Sequence, residues 1–277
     1  MDKLNHAMEE KNMIYRAYLF EKQLAARLKG ADSKERRSLY NSVYNEYYQK
    51  FPKHPFIVQN ENVIKKSTSR QIKYLRKYCN PNITFLEIGS GTGDLSFEVA
   101  KYVKKVIMVD VSHEPTQTLD FPPNTELLIS NGVSIPLPKN CVDIAYSNQL
   151  MEHLHPEDAL EQLQSIYDVL VKNGTYICVT PHCFSGPHDI SKGFDKIAHC
   201  FHLKEYTVKE LTNYFKAVGF KNVTYLVTFK GIQTNFPIFI IIIIEKILSK
   251  LPYSLRNKLA SNLPLRLIFS IRLLGKK

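Results

Sequence analysis

The stretch Ile83–Asp94, ITFLEIGSGTGD, constrains the fold more than any other part of the chain. Its first six residues are apolar or β-branched apart from one acid, the texture of a strand buried on both faces. Gly89, Gly91 and Gly93 follow at alternate positions, permitting a tight turn and a close approach of backbone to a ligand. The helical pattern that comes next, 94–103, then presents its positive N-terminal end beyond the edge of a sheet.

The same alternation continues downstream. KVIMVDV (105–111), ELLIS (126–130), VDIAYS (142–147), TYICVTP (175–181) and VTYLVTF (223–229) read as strands, and 157–171 and 207–218 read as helices between them. Strand and helix alternating over such a length predict an α/β fold, a Rossmann-like doubly wound sheet, mostly parallel. With 277 residues, 44% of them hydrophobic, the chain can bury a core of that size.

Residues 1–60 read as a helical N-terminal cap of two or three helices rich in tyrosine, closed by the proline-bearing segment FPKHPF (51–56). The core is expected over 61–230 and opens with an amphipathic helix at Ser67–Cys79. Residues 231–277 are expected to form an apolar, basic helical insertion and a last strand.

Ligands of such sheets bind beyond the carboxyl ends of the strands. Glu87 stands two residues before the first glycine, where a carboxylate suits a cationic ligand group better than a phosphate. Asp110 closes the second strand, seventeen residues after Gly93, where a carboxylate can accept both hydroxyls of a ribose. SNGVSIPLP (130–138) follows the third strand, and YSNQLMEHLH (146–155) the fourth.

Together these segments resemble the class I S-adenosylmethionine-dependent methyltransferases, closest to the bacterial group acting on small molecules, glycans and lipids. The likeness covers roughly residues 80–230 and rests on E-x-G-x-G-x-G, then V-D, then P-L-P. It implies S-adenosylmethionine as cofactor. Gly89, Ser90, Gly91 and Gly93 would lie against its methionine part, with Glu87 orienting the amino group. Asp110 and Val111 would meet the ribose. Asn131 stands where the family usually has an aspartate for the adenine amine, so that contact would be uncharged, with Gly132 backbone sharing it. Ser147 and Asn148 would face the sulfonium and the incoming acceptor. LRLIFSIRLLGKK (265–277) looks like the family's antiparallel last strand. A nicotinamide dehydrogenase is disfavoured because it prefers G-x-G-x-x-G.

A hydroxyl acceptor needs a base. His182 or His188, with Asp189 as orienting carboxylate, is the expected one, in the long loop Pro181–Tyr206. His153 is expected to pack near the cofactor. His199 and His202 have ligand spacing but no matched acid, so no metal is expected. Five scattered cysteines without C-x-x-C predict a reducing compartment. MDKLNHAMEEKN carries no apolar signal core, so the expected location is cytoplasmic, either free or peripheral on the inner membrane face.

The net charge of +11 asks for an acidic partner. The sequence argues against a nucleic-acid partner, because the fourth strand ends in Ser147-Asn148-Gln149-Leu150 rather than the (N/D)-P-P-(Y/F) of base-amine methyltransferases. From Phe236 onward eight cations face one acid, so +7 of the total lies beside the run FPIFIIIII. Nine residues of helix reach about 14 Å, against a bilayer core of about 30 Å, so the run cannot span. Docking of 236–277 on an anionic membrane surface, packing in the core and a dimer interface remain open for it. The reading that follows is methyl transfer to a hydroxyl of a small molecule, glycan or lipid-linked acceptor. The alternatives are a non-catalytic cofactor-binding membrane protein and a nucleic-acid methyltransferase.

Overall fold

The computed structural model describes residues 2–52, 60–116, 119–229, 232–262 and 265–277. In chain order the elements are α1 (Asp2–Gly30), α2 (Ser33–Lys50), α3 (Glu61–Leu75), β1 (Thr84–Ile88), α4 (Asp94–Val99), β2 (Lys105–Asp110), β3 (Thr125–Ile129), β4 (Val142–Asn148) and α5 (Pro156–Val169). There follow β5 (Leu170–Pro181), α6 (Val208–Val218), β6 (Lys221–Phe229), β7 (Ile232–Phe236), α7 (Ile238–Leu248), α8 (Tyr253–Ser261), α9 (Leu265–Ile268) and β8 (Ser270–Lys276).

The strands form one sheet in the order β3-β2-β1-β4-β5-β8-β6-β7. Pairing is parallel from β3 to β5, whereas β8 runs antiparallel between β5 and β6. The doubly wound sheet with an antiparallel last strand is therefore as expected. Side chains alternate across it. Leu86, Ile88, Ile107 and Val109 point to a core shared with α1, α2, α5 and α6. Phe85, Val106 and Met108 point to a second core, with Leu75 from α3 and Leu95 and Val99 from α4.

Local chemistry explains the helix ends. Asp32 and Glu35 form a reciprocal capping box at the start of α2, and Thr207 and Glu210 do the same for α6, which Gly219 ends in a left-handed conformation. α3 begins six residues earlier than the Ser/Thr cluster suggested, because Asn60 caps it by accepting the Asn62 N–H at 2.9 Å. The segment 51–56 falls largely outside the described residues. One strand was not expected: β7 opens the insertion by pairing back on β6, Tyr225 facing Phe236. Its sequence, IQTNF, is too short and polar to stand out, as suits an outermost strand.

The isoleucine run becomes α7. Ile241, Glu245 and Leu248 are buried on one face, while Phe239, Ile243 and Ile247 are 65%, 54% and 60% exposed on the other. Among the described residues no helix is long and apolar enough to cross a membrane.

Candidate functional site at the carboxyl ends of the strands

The chain leaves β1 through Gly89, Gly91 and Gly93, all at positive φ. At Gly89 (φ +72) a Cβ would lie 3.0 Å from Leu150 Cδ1, so glycine is required both for conformation and for space. Asp110 fixes the loop from β2. Its Oδ2 accepts the Gly91 N–H at 2.9 Å, and its Oδ1 accepts the Val111 N–H at 2.7 Å.

Beside this loop lies a cavity of about 810 Å³, its open mouth included. Gly89, Gly91, Asp110, Val111 and Gly132 line it from the sheet, and Tyr40, Tyr44 and Tyr48 from α2. A second cleft, between α3 and the glycine loop, is lined by Glu87, Ser90, Asn148 and Gln149 together with Ser67, Thr68 and Gln71 of α3. The two share Gly89 and Gln149 and so form one groove over the ends of β1 and β4. Gln149 itself holds a left-handed φ of +57, with its N–H bound to Val179 O at 2.8 Å.

Most residues expected at the cofactor lie along this groove, but three do not. Gly93 lies behind it as the N-cap of α4, where a Cβ would meet Met108 at 2.8 Å. The Asn131 amide oxygen, expected on the adenine amine, accepts the N–H groups of Val133 at 3.0 Å and Ser134 at 2.8 Å. It thus shapes the loop, and its neighbours Ser130 and Gly132 line the cavity. Ser147 is fully buried and bonded to the Tyr176 hydroxyl at 2.7 Å, so it faces the core and not the acceptor.

The residues expected as base are also placed elsewhere. His182 has no exposed surface. Its Nδ1 accepts the Phe184 N–H at 3.0 Å, which leaves Nε2–H to donate to Glu245 Oε1 at 2.7 Å. With both nitrogens engaged it is a fastening between the loop and α7. His188 bonds Ser185 Oγ at 3.0 Å. Asp189 does not orient it: its carboxylate accepts from Ser191 N at 3.0 Å and Cys200 N at 3.1 Å. These local loop contacts outcompete the long-range pairing that sequence order suggested.

The histidine that does line the cavity is His153, bonded through Nδ1 to the Tyr44 hydroxyl at 3.0 Å. Burial pushes its pKa down to about 3, so it is neutral at physiological pH. Beside it, burial raises Glu152 to about 7. One carboxylate oxygen accepts from Thr180 Oγ1 at 2.8 Å, and the other has no partner among the described residues. For His202 burial opposes the charge, but its 2.8 Å bond to Glu205 and the nearness of Glu152 outweigh it and raise the pKa. Glu152, His153 and His202 offer ligand atoms within 4.8 Å of one another and could hold a small divalent cation. The acid that spacing around His199 and His202 did not reveal comes from a different loop.

Tyr40, Tyr44 and Tyr48 stand four apart on α2 and so share a face; the tyrosine-rich helical cap was legible in the sequence, but its place in the site was not. α2 is set over the strand ends by a buried ion pair. Arg36 Nε donates to Asp158 Oδ2 at 2.6 Å and Nη2 to Oδ1 at 2.9 Å, and Tyr40 donates to Oδ2 at 2.7 Å.

These residues fit S-adenosylmethionine. Glu87 is buried at the methionine side, and burial pushes it up to about 8 against a 2.6 Å bond from Ser96 Oγ, so its buried charge would be offset by a cationic amino group once it ionises. The Ser90 hydroxyl beside it has no partner among the described residues. Asp110 and the tyrosines supply polar and flat apolar walls for a nucleoside.

Comparison with known proteins agrees. A family model described as a methyltransferase domain matches residues 60–225. A probable S-adenosylmethionine-dependent methyltransferase of Mycolicibacterium smegmatis is 28% identical over 151 residues, 53% of this chain and 55% of that protein. The chain thus spans about half the length of the curated relatives it matches. A SAM-dependent methyltransferase from Archaeoglobus fulgidus shares the fold with a TM-score of 0.53 at 18% identity, over 84% of this chain and 99% of that one. Phosphoethanolamine N-methyltransferase 1 of Haemonchus contortus does so at 0.57 and 14%, over 89% and 50%. The chain belongs to the methyltransferase domain family, and S-adenosylmethionine is the cofactor that its membership implies.

Proposed function

We propose that the chain methylates a hydroxyl of a small-molecule, glycan or lipid-linked acceptor, and that it meets this acceptor at an anionic membrane surface. What the cofactor supplies when bound is an activated methyl: the C–O bond forms as the C–S bond breaks, leaving S-adenosylhomocysteine and one proton from the hydroxyl. The glycine loop, Asp110 and the tyrosine wall fix one partner, which converts a collision into an oriented displacement. The observation that carries the hydroxyl assignment is His153 at the cavity wall, with the buried Glu152 next to it in the chain. Burial raises the Glu152 carboxyl to about 7, so it can hold the departing proton near neutrality, whereas His153, pushed down to about 3, stays neutral and serves only as a hydrogen-bonding group.

The membrane part is supported by α7. Phe239, Ile243 and Ile247 form an exposed stripe, and the exposed Lys246 and Lys250 follow it three residues on. Side chains of this kind each add about 1 kcal/mol when their remaining surface is covered, and a cation near an anionic leaflet adds about as much. The total, about 5 kcal/mol, suits reversible docking.

Purified protein is incubated with methyl-labelled S-adenosylmethionine and an extract of its own cells, and the products are partitioned. Label in the organic phase is expected. Label only in water would point to a soluble acceptor. No label despite cofactor binding would favour a non-catalytic role. Wild type should pellet with vesicles rich in phosphatidylglycerol at low salt, and the variant Phe239→Ser, Ile243→Ser, Ile247→Ser should not.

A further inference from the structure

A third cleft continues the groove beyond Asn148. It shares Ser67, Gln71 and Asn148 with the methionine-side cleft, and reaches over the ends of β5, β8 and β6 to Val179, Arg272 and Thr228. The acceptor of a methyl group bound at the glycine loop would come from this direction, because the tyrosine cavity occupies the other end.

The lining of this cleft is one-sided in charge. Arg70 and Lys73 project from one face of α3, and Arg272 from β8. No acidic residue lines it, and no carboxylate pairs with any of these three cations among the described residues. Arg27, Arg36 and Arg37, by contrast, each find a carboxylate within 3 Å. Gln71 and Tyr74 of the lining are both bonded to the hydroxyl of the buried Tyr146. The Thr228 hydroxyl is buried with no partner among the described residues. Three unpaired cations, two of them guanidinium forks, and an unpaired hydroxyl donor are the complement of a tetrahedral oxyanion. A single carboxylate would leave most of that charge uncompensated, whereas a phosphate monoester matches it better.

We infer that the acceptor carries a phosphate group, held in this cleft by Arg70, Lys73 and Arg272, with its methylated atom directed back toward Asn148. The inference rests on the proposed methyltransferase reading and names its substrate class. The phosphate can belong to a soluble phosphomonoester or to a lipid headgroup.

The protein is saturated with S-adenosylhomocysteine and titrated with phenyl phosphate, using benzyl alcohol as the uncharged control, and separately mixed with phosphatidic acid in phosphatidylcholine vesicles. Phenyl phosphate is expected to bind and benzyl alcohol not to. Arg272→Met and, on the exposed helix face, Arg70→Met are each expected to weaken phosphate binding at least tenfold while S-adenosylhomocysteine affinity changes less than twofold. If the phosphate is a headgroup, phosphatidic acid competes with phenyl phosphate and the same variants lose both.

Equal phosphate binding in wild type and both variants, or no binding of either phosphate probe, overturns the inference. So does a loss of S-adenosylhomocysteine affinity without loss of phosphate binding, since the cations would then serve the cofactor's carboxylate. Failure of wild type to bind S-adenosylhomocysteine at all would instead overturn the methyltransferase reading. The Arg70 variant keeps the test valid if Arg272→Met fails to fold.

Discussion

Arg36→Met removes a guanidinium that is 2% exposed from a carboxylate, Asp158, that is fully buried. Two charge-assisted bonds at 2.6 and 2.9 Å are lost, together with a 2.7 Å bond to the Ala31 carbonyl. Asp158 keeps only the Tyr40 hydroxyl among its partners named above. The contact of Arg36 with Glu157 matters little, because Glu157 is 69% exposed and such pairs contribute about 0–1 kcal/mol. Stranding a buried charge costs about 3–5 kcal/mol. That is a large share of the roughly 5–15 kcal/mol holding a domain of ordinary stability. The local consequence should exceed the global one, because Arg36 and Tyr40 fix α2, and α2 carries Tyr40, Tyr44 and Tyr48 into the cavity. Denaturant unfolding should therefore show a loss of about 4 kcal/mol. Amide exchange over 33–50 should accelerate, and S-adenosylhomocysteine affinity should fall. Replacing both partners, Arg36→Met with Asp158→Leu, should recover most of the stability, since no charge is then left unpaired. A single-variant loss below 1 kcal/mol, or a double variant no better than the single, would refute this account of what holds the cap.

Glu87, raised to about 8 in the ligand-free protein, must ionise to meet a cationic amino group, so S-adenosylhomocysteine affinity should rise with pH up to about 8 with proton release. Calorimetry in buffers of different ionisation enthalpy measures this, and Glu87→Gln should flatten the dependence. Burial likewise raises Glu21, to about 7. Because Glu21, Glu87 and Glu152 are all raised, their contribution to ligand-free stability is present below about pH 4.5 and is lost as pH rises through 7 to 8. The melting temperature should fall over that window. Gly132→Ala places a Cβ 2.9 Å from the Tyr40 ring at φ +83, so a loss of about 1–2 kcal/mol from conformation alone is expected, with weaker cofactor binding read by titration. His182→Asn should lower stability by about 1–3 kcal/mol and leave S-adenosylhomocysteine affinity unchanged. Loss of methyl transfer with unchanged stability would restore His182 as a base.

What the sequence revealed was local. The strand ITFLEI, its glycine loop and the carboxylate ending the next strand are set by short-range sterics and alternation, and they emerged where expected. The last strand was expected over 265–277 from the family resemblance alone, and only Ser270–Lys276 forms it, since Leu265–Ile268 is the short helix α9. Positions set by tertiary partners were not legible. Asn131, Ser147 and Asp189 have the chemistry of site residues, but nearby N–H or hydroxyl groups claim their oxygens. The reverse holds for Tyr44 and His153, distant in the chain, which meet at the cavity only because a buried ion pair docks α2 on α5. Nor could the linear pattern show that Arg70, Lys73 and Arg272 converge on one cleft from two elements.

Glu245 is the only acid in the apolar helix, and it is buried. It accepts the His182 Nε2–H and caps the first N–H groups of α6, Val208 at 2.5 Å and Lys209 at 3.2 Å. A helix of near-identical isoleucines has little in its own packing to prefer one rotation about its axis over another. One polar residue with three fixed partners breaks that degeneracy. Moving the acid a single position along the chain would turn the helix by about 100° and present a different set of side chains outward. The outward identity of α7 is thus encoded less by the isoleucines themselves than by where their single interruption falls.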